Sequence, residues 1–403
     1  HMLPSFRYLA KEIFNLKGIY SPHMVFPFLQ PQRQATSNQC GRALGMTGWH
    51  GQPLWWRWEY LRDKNFLTKK AYPYFKEAAC FYWRYLQKHL DESGDLYPSL
   101  NLEGPPWTKN FEHNRDCIID LILFHNTFKY ALEASRILNT DKTWRKKWGW
   151  ALSMIRPVKT GRLPDGHWWI YADKNDFPPK DTSWRNNENT RYSQAVFSAW
   201  TVFPGEYVNG DENEGLAPCL RDIMKHTQWH TMNMMTWIHH WWCAIPALRM
   251  QLPEAFDIAR KIILRERFPA GHAKTTHWIH LQPDAWRAPE DNYLGVVATT
   301  EMLLQSQGGI IRLFPCWPKS KKASFYGFPA RGGFIISASF DPQKGISAEI
   351  KSIAGEKCRV KLPHGTNAVV NCAKHKTKVL LENQMLVFNT LRDKVYKIIL
   401  EQQ

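Results

Sequence analysis

Phe314-Pro315-Cys316-Trp317-Pro318, followed by Gly333-Phe334-Ile335-Ile336-Ser337-Ala338-Ser339-Phe340, is where this 403-residue chain changes texture. Upstream, from about residue 55 to about 310, apolar residues recur at helical spacing in segments 70–90, 114–138, 142–155, 192–203, 215–226, 230–250, 254–266 and 293–306. Segment 5–17 adds another helix. Polar connections holding Pro or Gly separate these segments, and three of them, 91–112, 156–190 and 267–291, are long and rich in Trp, His, Asn, Asp and Pro. Loops of that length inside a compact domain are usually functional. Downstream, 333–340, 346–353, 358–362, 368–371, 378–381, 385–389 and 395–400 read as short strands between Gly, Asn and Asp turns. The fold is therefore mainly α: a helical domain over residues 1–318 and a small antiparallel β-domain over 319–403. No fixed short repeat is visible.

Composition narrows the function. Hydrophobic residues make up 44% and charged residues 22%, which fits a packed globular chain and excludes long disorder. Twenty Trp, fifteen Tyr and twenty-one Phe exceed what a core requires, and many stand beside polar groups, as in Gly48-Trp49-His50-Gly51-Gln52 and Trp237-Ile238-His239-His240-Trp241-Trp242. Aromatic faces flanked by hydrogen-bonding groups suit sugar rings, although helix packing is the more ordinary account of any single Trp. The formal net charge of +17 invites a nucleic-acid reading. The basic residues are dispersed, with short runs only at 145–147 and 319–322, and no nucleic-acid motif appears, so no nucleic-acid partner is expected. Eight cysteines contain no C-x-x-C pair, and no apolar stretch is long enough to span a bilayer. His1-Met2 reads as a cloning remnant, so the natural N-terminus and any signal peptide are expected upstream.

Two loop carboxylates stand out. Glu103 lies in Leu96-Tyr97-Pro98-Ser99-Leu100-Asn101-Leu102-Glu103-Gly104-Pro105-Pro106-Trp107, where the neighbouring Trp107 offers to desolvate a carboxyl and raise its pKa. Asp291 lies in Ala288-Pro289-Glu290-Asp291-Asn292-Tyr293-Leu294-Gly295. Glu103 has an alternative reading as a surface carboxylate, and Asp291 as a helix N-cap. A separated carboxylate pair on the loops of a helical domain is the equipment of glycosidic cleavage. His113, Tyr192 and Gln194 are further candidates for the pocket. His226 and His230 have i,i+4 spacing without the glutamate of an H-E-x-x-H motif, and adjacent His239-His240 diverge on a helix, so neither metal nor cofactor is expected.

The segment Thr299-Thr300-Glu301-Met302-Leu303-Leu304-Gln305-Ser306-Gln307-Gly308-Gly309-Ile310-Ile311-Arg312-Leu313-Phe314-Pro315, with Ala330-Arg331-Gly332-Gly333-Phe334 after it, resembles the junction between the catalytic and C-terminal domains of family 95 glycoside hydrolases, the α-L-fucosidase/α-L-galactosidase family. Ala71–Ala79 and Asp116–Ser135 resemble two of its helices. The resemblance implies an (α/α)6 toroid, a β-sandwich-like C-terminal domain, inverting exo-α-glycosidase action on an oligosaccharide or polysaccharide, and a periplasmic or secreted location. It makes Glu103 the general acid, Asp291 the general base that activates water, and Trp49 a tryptophan of the sugar pocket. Departures from the family pattern are plain: Gly104 follows the glutamate where asparagine is expected, Asn292-Tyr293 replaces Gly-Asn, and Ser193-Gln194-Ala195 stands where a histidine-containing segment precedes Phe203-Pro204-Gly205. The family's water-positioning Asn-x-Asn motif has no counterpart before residue 50, which implies a toroid incomplete at its N-terminus or a divergent branch. Two other readings stay open, a non-catalytic glycan-binding relative and another toroid enzyme such as a polysaccharide lyase or a phosphorylase.

Overall fold

The computed structural model describes residues 2–23, 25, 43–100, 115–181, 188–209, 215–231, 239–263, 290–362, 366–371, 379–382 and 384–402. The described residues fall into two compact units. One comprises residues 1–58, 63–208 and 214–231, the other residues 59–62, 209–213 and 232–403.

The first unit is helical. It contains α1 (Leu3–Phe14), most of α2 (Met46–Leu61), the short α3 (Lys64–Phe66), α4 (Tyr72–His89), α5 (Ile118–Ile137), α6 (Lys142–Met154), α7 (Glu188–Val202) and α8 (Leu216–Thr231). A π-helical turn, Leu67–Ala71, leads into α4. The core of this unit is aromatic: Tyr82 stacks on Phe124 with ring centroids 3.6 Å apart, and Trp55 stacks on Tyr130 at 4.7 Å. Much of the large aromatic complement is therefore spent on joining α2, α4 and α5.

Helix α2 falls outside the segments that periodicity marks, because Gly48, Gly51 and Pro53 interrupt it. Packing explains the two glycines. A Cβ on Gly48 would lie 2.8 Å from the Leu123 carbonyl oxygen, and one on Gly51 would lie 2.9 Å from the rings of Phe75 and Tyr74. The glycines give up helix propensity so that α2 can approach α5 and α4 closely.

The 156–190 connection also holds more structure than its composition suggests. Strands β1 (Thr160–Arg162) and β2 (Trp168–Ile170) form an antiparallel hairpin within it. The turn Leu163-Pro164-Asp165-Gly166-His167 is closed by a hydrogen bond from the Leu163 N–H to the His167 carbonyl at 2.9 Å.

The second unit opens with α9 (His239–Arg249), α10 (Ala255–Ile263) and α11 (Glu290–Leu303). Arg249 and Glu301 join α9 to α11 through a buried ion pair at 2.8 Å. The expected helix over 293–306 stops at Leu303, where the chain turns into β3 (Leu304–Gln305). Strands β4 (Ile311–Leu313), β8 (Cys358–Lys361), β10 (Val379–Glu382) and β11 (Met385–Phe388) complete a sheet in the order β10-β11-β8-β4-β3. Strands β5 (Ala323–Ala330), β6 (Phe334–Asp341), β7 (Gly345–Ser352), β9 (Thr366–Asn371) and β12 (Val395–Gln402) form the other, in the order β5-β6-β7-β12-β9. All neighbours are antiparallel except β4 and β8. Alternation supplies one inward row per strand, and Ile311, Val360 and Leu386 of one sheet share a core with Ile336, Ile350 and Ile398 of the other.

The Ala330-Arg331-Gly332-Gly333-Phe334 motif is the turn from β5 to β6. Both glycines have positive φ, 94° and 74°, and a Cβ on Gly332 would meet the Phe334 ring at 2.6 Å. Arg331 is buried and pairs with Glu59 at 3.0 Å, which fixes the turn within the second unit.

Candidate active site

The first turns of α2 carry Trp49 and Gln52. Trp49 is half-buried, and its ring meets the buried Trp200 ring edge to face, with centroids 4.4 Å apart. The Phe203-Pro204-Gly205-Glu206 turn after α7 is gripped by three side chains. Gln52 donates its Nε2 to the Pro204 carbonyl at 2.9 Å, Asn126 donates its Nδ2 to the Gly205 carbonyl, and Trp56 donates its Nε1 to Glu206 at 2.9 Å. Gln52 is fully buried and Asn126 nearly so, so these bonds form away from competing water. The bed beneath Trp49 is thereby held in one position.

A second anchor sits at the start of α5. The Asp120 carboxylate, fully buried, accepts hydrogen bonds from the Gly45 N–H at 2.7 Å, the Leu100 N–H at 2.8 Å and the Ser99 hydroxyl at 2.9 Å. Ser99 Oγ in turn accepts from the Cys117 N–H at 3.0 Å. Burial pushes the Asp120 pKa up to about 6, against the three hydrogen bonds that favour the anion. Its place in the first turn of α5 also suits a negative charge, because the free N–H groups and helix dipole point there. One carboxylate thus ties Pro98-Ser99-Leu100, the stem that leads to Glu103, and Gly45, which leads to Trp49, to the same helix end. Sequence reasoning misses Asp120. Its signal is a lone charge inside the apolar run Cys117-Ile118-Ile119-Asp120-Leu121-Ile122-Leu123.

The stem is braced again at its base. Asp116 accepts from the Leu96 N–H at 2.8 Å and lines a cavity of about 280 Å³ with Arg156, Lys159, Tyr171, Asp173 and Lys174. Burial pushes the Asp116 pKa up to about 6. Asp95, fully buried, is paired with Arg156 at 2.8 Å and with Lys174. The charges here are largely engaged with one another, which suits a fixed support for the loop.

Glu103, Trp107 and His113 lie outside the described residues. Asp291 is the second residue of α11, within the first helical turn, and Tyr192 is on α7; their side chains lie outside the described part. Gln194 is buried, and both ends of its amide are taken by Ile170: Oε1 accepts from the N–H and Nε2 donates to the carbonyl, each at 2.8 Å. It holds β2 to α7. Among the described residues, one group has donors placed to hold a metal: His167, Asp222 and His226.

His50, next to Trp49, gives a pH-dependent expectation. Burial, reinforced by neighbouring His23, pushes its pKa down to about 4 from an ordinary 6.5. The folded state therefore holds the ring neutral while the unfolded chain binds a proton below pH 6.5. The associated stability is intact above that pH and is lost as pH falls towards 4, about 3 kcal/mol in all. Asp116, Asp120 and Asp176, each pushed up to about 6, act in the opposite sense over the same range. Urea unfolding at pH 7, 5.5 and 4 should show His50→Gln losing less stability on acidification than the wild type, and parallel curves would contradict the neutral His50.

Residues 1–283 match the glycosyl hydrolase family 95 catalytic domain, and residues 305–398 match the glycoside hydrolase family 95 C-terminal domain. The chain belongs to glycoside hydrolase family 95. The catalytic match takes in α1–α10 and the C-terminal match all of β4–β11, with Asp291 falling between the two matched stretches. A curated relative, "Alpha-L-fucosidase 2" from Arabidopsis thaliana, is 25% identical over 306 residues, which is 72% of this chain and 33% of the relative. The chain thus spans about a third of the length of that relative. A crystal structure of Streptomyces avermitilis alpha-L-rhamnosidase complexed with L-rhamnose aligns with 86% of this chain and 32% of its own, at 13% identity and a TM-score of 0.44. No helix among the described residues is long and apolar enough to cross a membrane.

Proposed function

We propose that this chain is the core of an inverting exo-α-glycosidase that removes a terminal α-L-fucose or α-L-galactose-like residue from a glycan outside the cytoplasm. The observation that carries the reading is the shared anchorage at Asp120, because it ties the approach to Trp49 and the stem before Glu103 to one buried group in a family 95 catalytic domain. Trp49 presents an apolar face for the sugar's C–H surface. Glu103 protonates the glycosidic oxygen as it leaves. Asp291 takes a proton from a water that attacks the anomeric carbon from the opposite face, so the product has inverted configuration. The similarity to a plant alpha-L-fucosidase supports the α-L-fucose alternative of the two.

The test is hydrolysis of aryl α-L-fucosides and α-L-galactosides and of oligosaccharides ending in these sugars, with the first-formed anomer read by proton NMR. Release of the β-anomer is expected. Release of the α-anomer would reject inversion, and saturable fucose binding without turnover would favour a glycan-binding relative.

A further inference from the structure

We propose that His167, Asp222 and His226 form a binding site for a divalent transition-metal cation of the zinc class, which pins the β1–β2 hairpin to α8. His226 and Asp222 stand one helical turn apart on α8, so their side chains share a face. The third donor, His167, arrives from the tight turn of the hairpin. The helical i,i+4 pairing visible in the sequence, His226 with His230, misses this arrangement because the long-range partner is 59 residues upstream of His226.

The distances suit a shared cation. Asp222 Oδ1 lies 3.1 Å from His226 Nε2 and 3.4 Å from His167 Nδ1. Zinc bonds of about 2.0–2.2 Å to imidazole nitrogen and carboxylate oxygen, set at tetrahedral angles, place two ligand atoms about 3.3–3.5 Å apart. One donor atom from each of the three residues lies within 4.8 Å of the others. The two imidazole rings crowd together, with centroids 3.3 Å apart and planes tilted by 46°.

The carboxylate is oriented independently of the histidines. Its Oδ2 accepts the Trp168 N–H at 2.8 Å, which leaves Oδ1 directed to the imidazoles. The side chains of His167, Asp222 and His226 are 31%, 29% and 34% exposed, so water can complete the coordination. Two imidazoles and one carboxylate favour zinc and its neighbours over calcium or magnesium, which take sets built from oxygen. A metal-free alternative is that the two rings simply share Asp222 as a hydrogen-bond acceptor, and the experiment separates the two.

The full chain, stripped with EDTA and dialysed, is titrated with zinc chloride by calorimetry and followed by thermal melting. One strongly bound equivalent and a raised melting temperature are expected. His167→Ala, His226→Ala and Asp222→Asn should each weaken that equivalent by about tenfold or more. The asparagine variant keeps an acceptor for the Trp168 N–H, and matching far-UV circular dichroism in EDTA separates lost ligation from lost folding. With cobalt(II) in place of zinc, the wild type should show visible d–d bands that the variants lack. Absence of a bound equivalent, or binding unchanged in the three variants, would overturn the site.

Discussion

Glu103→Gln is expected to lower turnover of an oligosaccharide by about 10²–10⁴-fold while leaving much of the activity towards an α-L-fucosyl fluoride. The difference follows from the leaving groups. A sugar alkoxide departs only when protonated, whereas fluoride is already stable as the anion and gains little from an acid. Asp291→Asn should depress both substrates by a similar factor, because the attacking water must lose its proton whichever group departs. Comparing kcat for the two substrates in each variant therefore separates acid from base by chemistry alone. Equal losses for Glu103→Gln on both substrates would assign Glu103 to binding. Unchanged turnover in both variants would remove these carboxylates from the chemistry.

The fold is legible where one periodicity runs uninterrupted. Segments 70–90, 114–138 and 142–155 form α4, α5 and α6, and the alternating run at 333–340 forms β6, because a single buried face dictates a 3.6- or 2-residue repeat. What escapes is structure set by distant contacts. Helix α2 carries Gly48, Gly51 and Pro53, whose poor propensity is overridden by packing against α4 and α5. Strand β5 contains Gly327 and Pro329 and a register shift between Phe325 and Phe328, so it shows no clean alternation. Strand β3 has only two residues, too few to separate it from the end of a helix.

The candidate site divides in the same way. Trp49 is a candidate because it falls on a tryptophan of the family's sugar pocket, and its setting among Gly, His and Gln agrees with that placement. Gln194 is a candidate as a polar residue where the family carries a histidine-containing segment, yet its amide is committed to the backbone of Ile170. Asp120 escapes because two of its partners, Gly45 and Leu100, lie 75 and 20 residues away. A lone acid in an apolar helix start announces that it is satisfied by something, and only the tertiary structure says by what.

That commitment makes Asp120→Ala the structural substitution with the largest expected consequence. It removes the acceptor of three donors at once, and two of them, the Gly45 and Leu100 N–H groups, are buried main-chain groups with no freedom to turn elsewhere. Each stranded donor costs about 1–3 kcal/mol, partly offset because the variant no longer buries a carboxylate, so a net loss of roughly 2–4 kcal/mol in urea unfolding is expected. Function should suffer more than stability. With Glu103 in its proposed role, a shift of about 1 Å in the stem before it should cost about 10²-fold in kcat with a smaller change in KM, because the acid would be misplaced while the proposed Trp49 surface persists. Asp120→Asn keeps the size and one acceptor oxygen but turns an N–H₂ towards donors, so it should fall between the wild type and alanine. It also removes a titration. Because the Asp120 pKa is raised to about 6 in the folded protein, its contribution to stability is greatest below about pH 4 and is lost as pH rises through 6. The asparagine variant should lack that component between pH 4 and 6. Wild-type stability and kcat in Asp120→Ala would mean that the loop stem and the start of α2 are held without the carboxylate, and the anchoring assigned to Asp120 would fall.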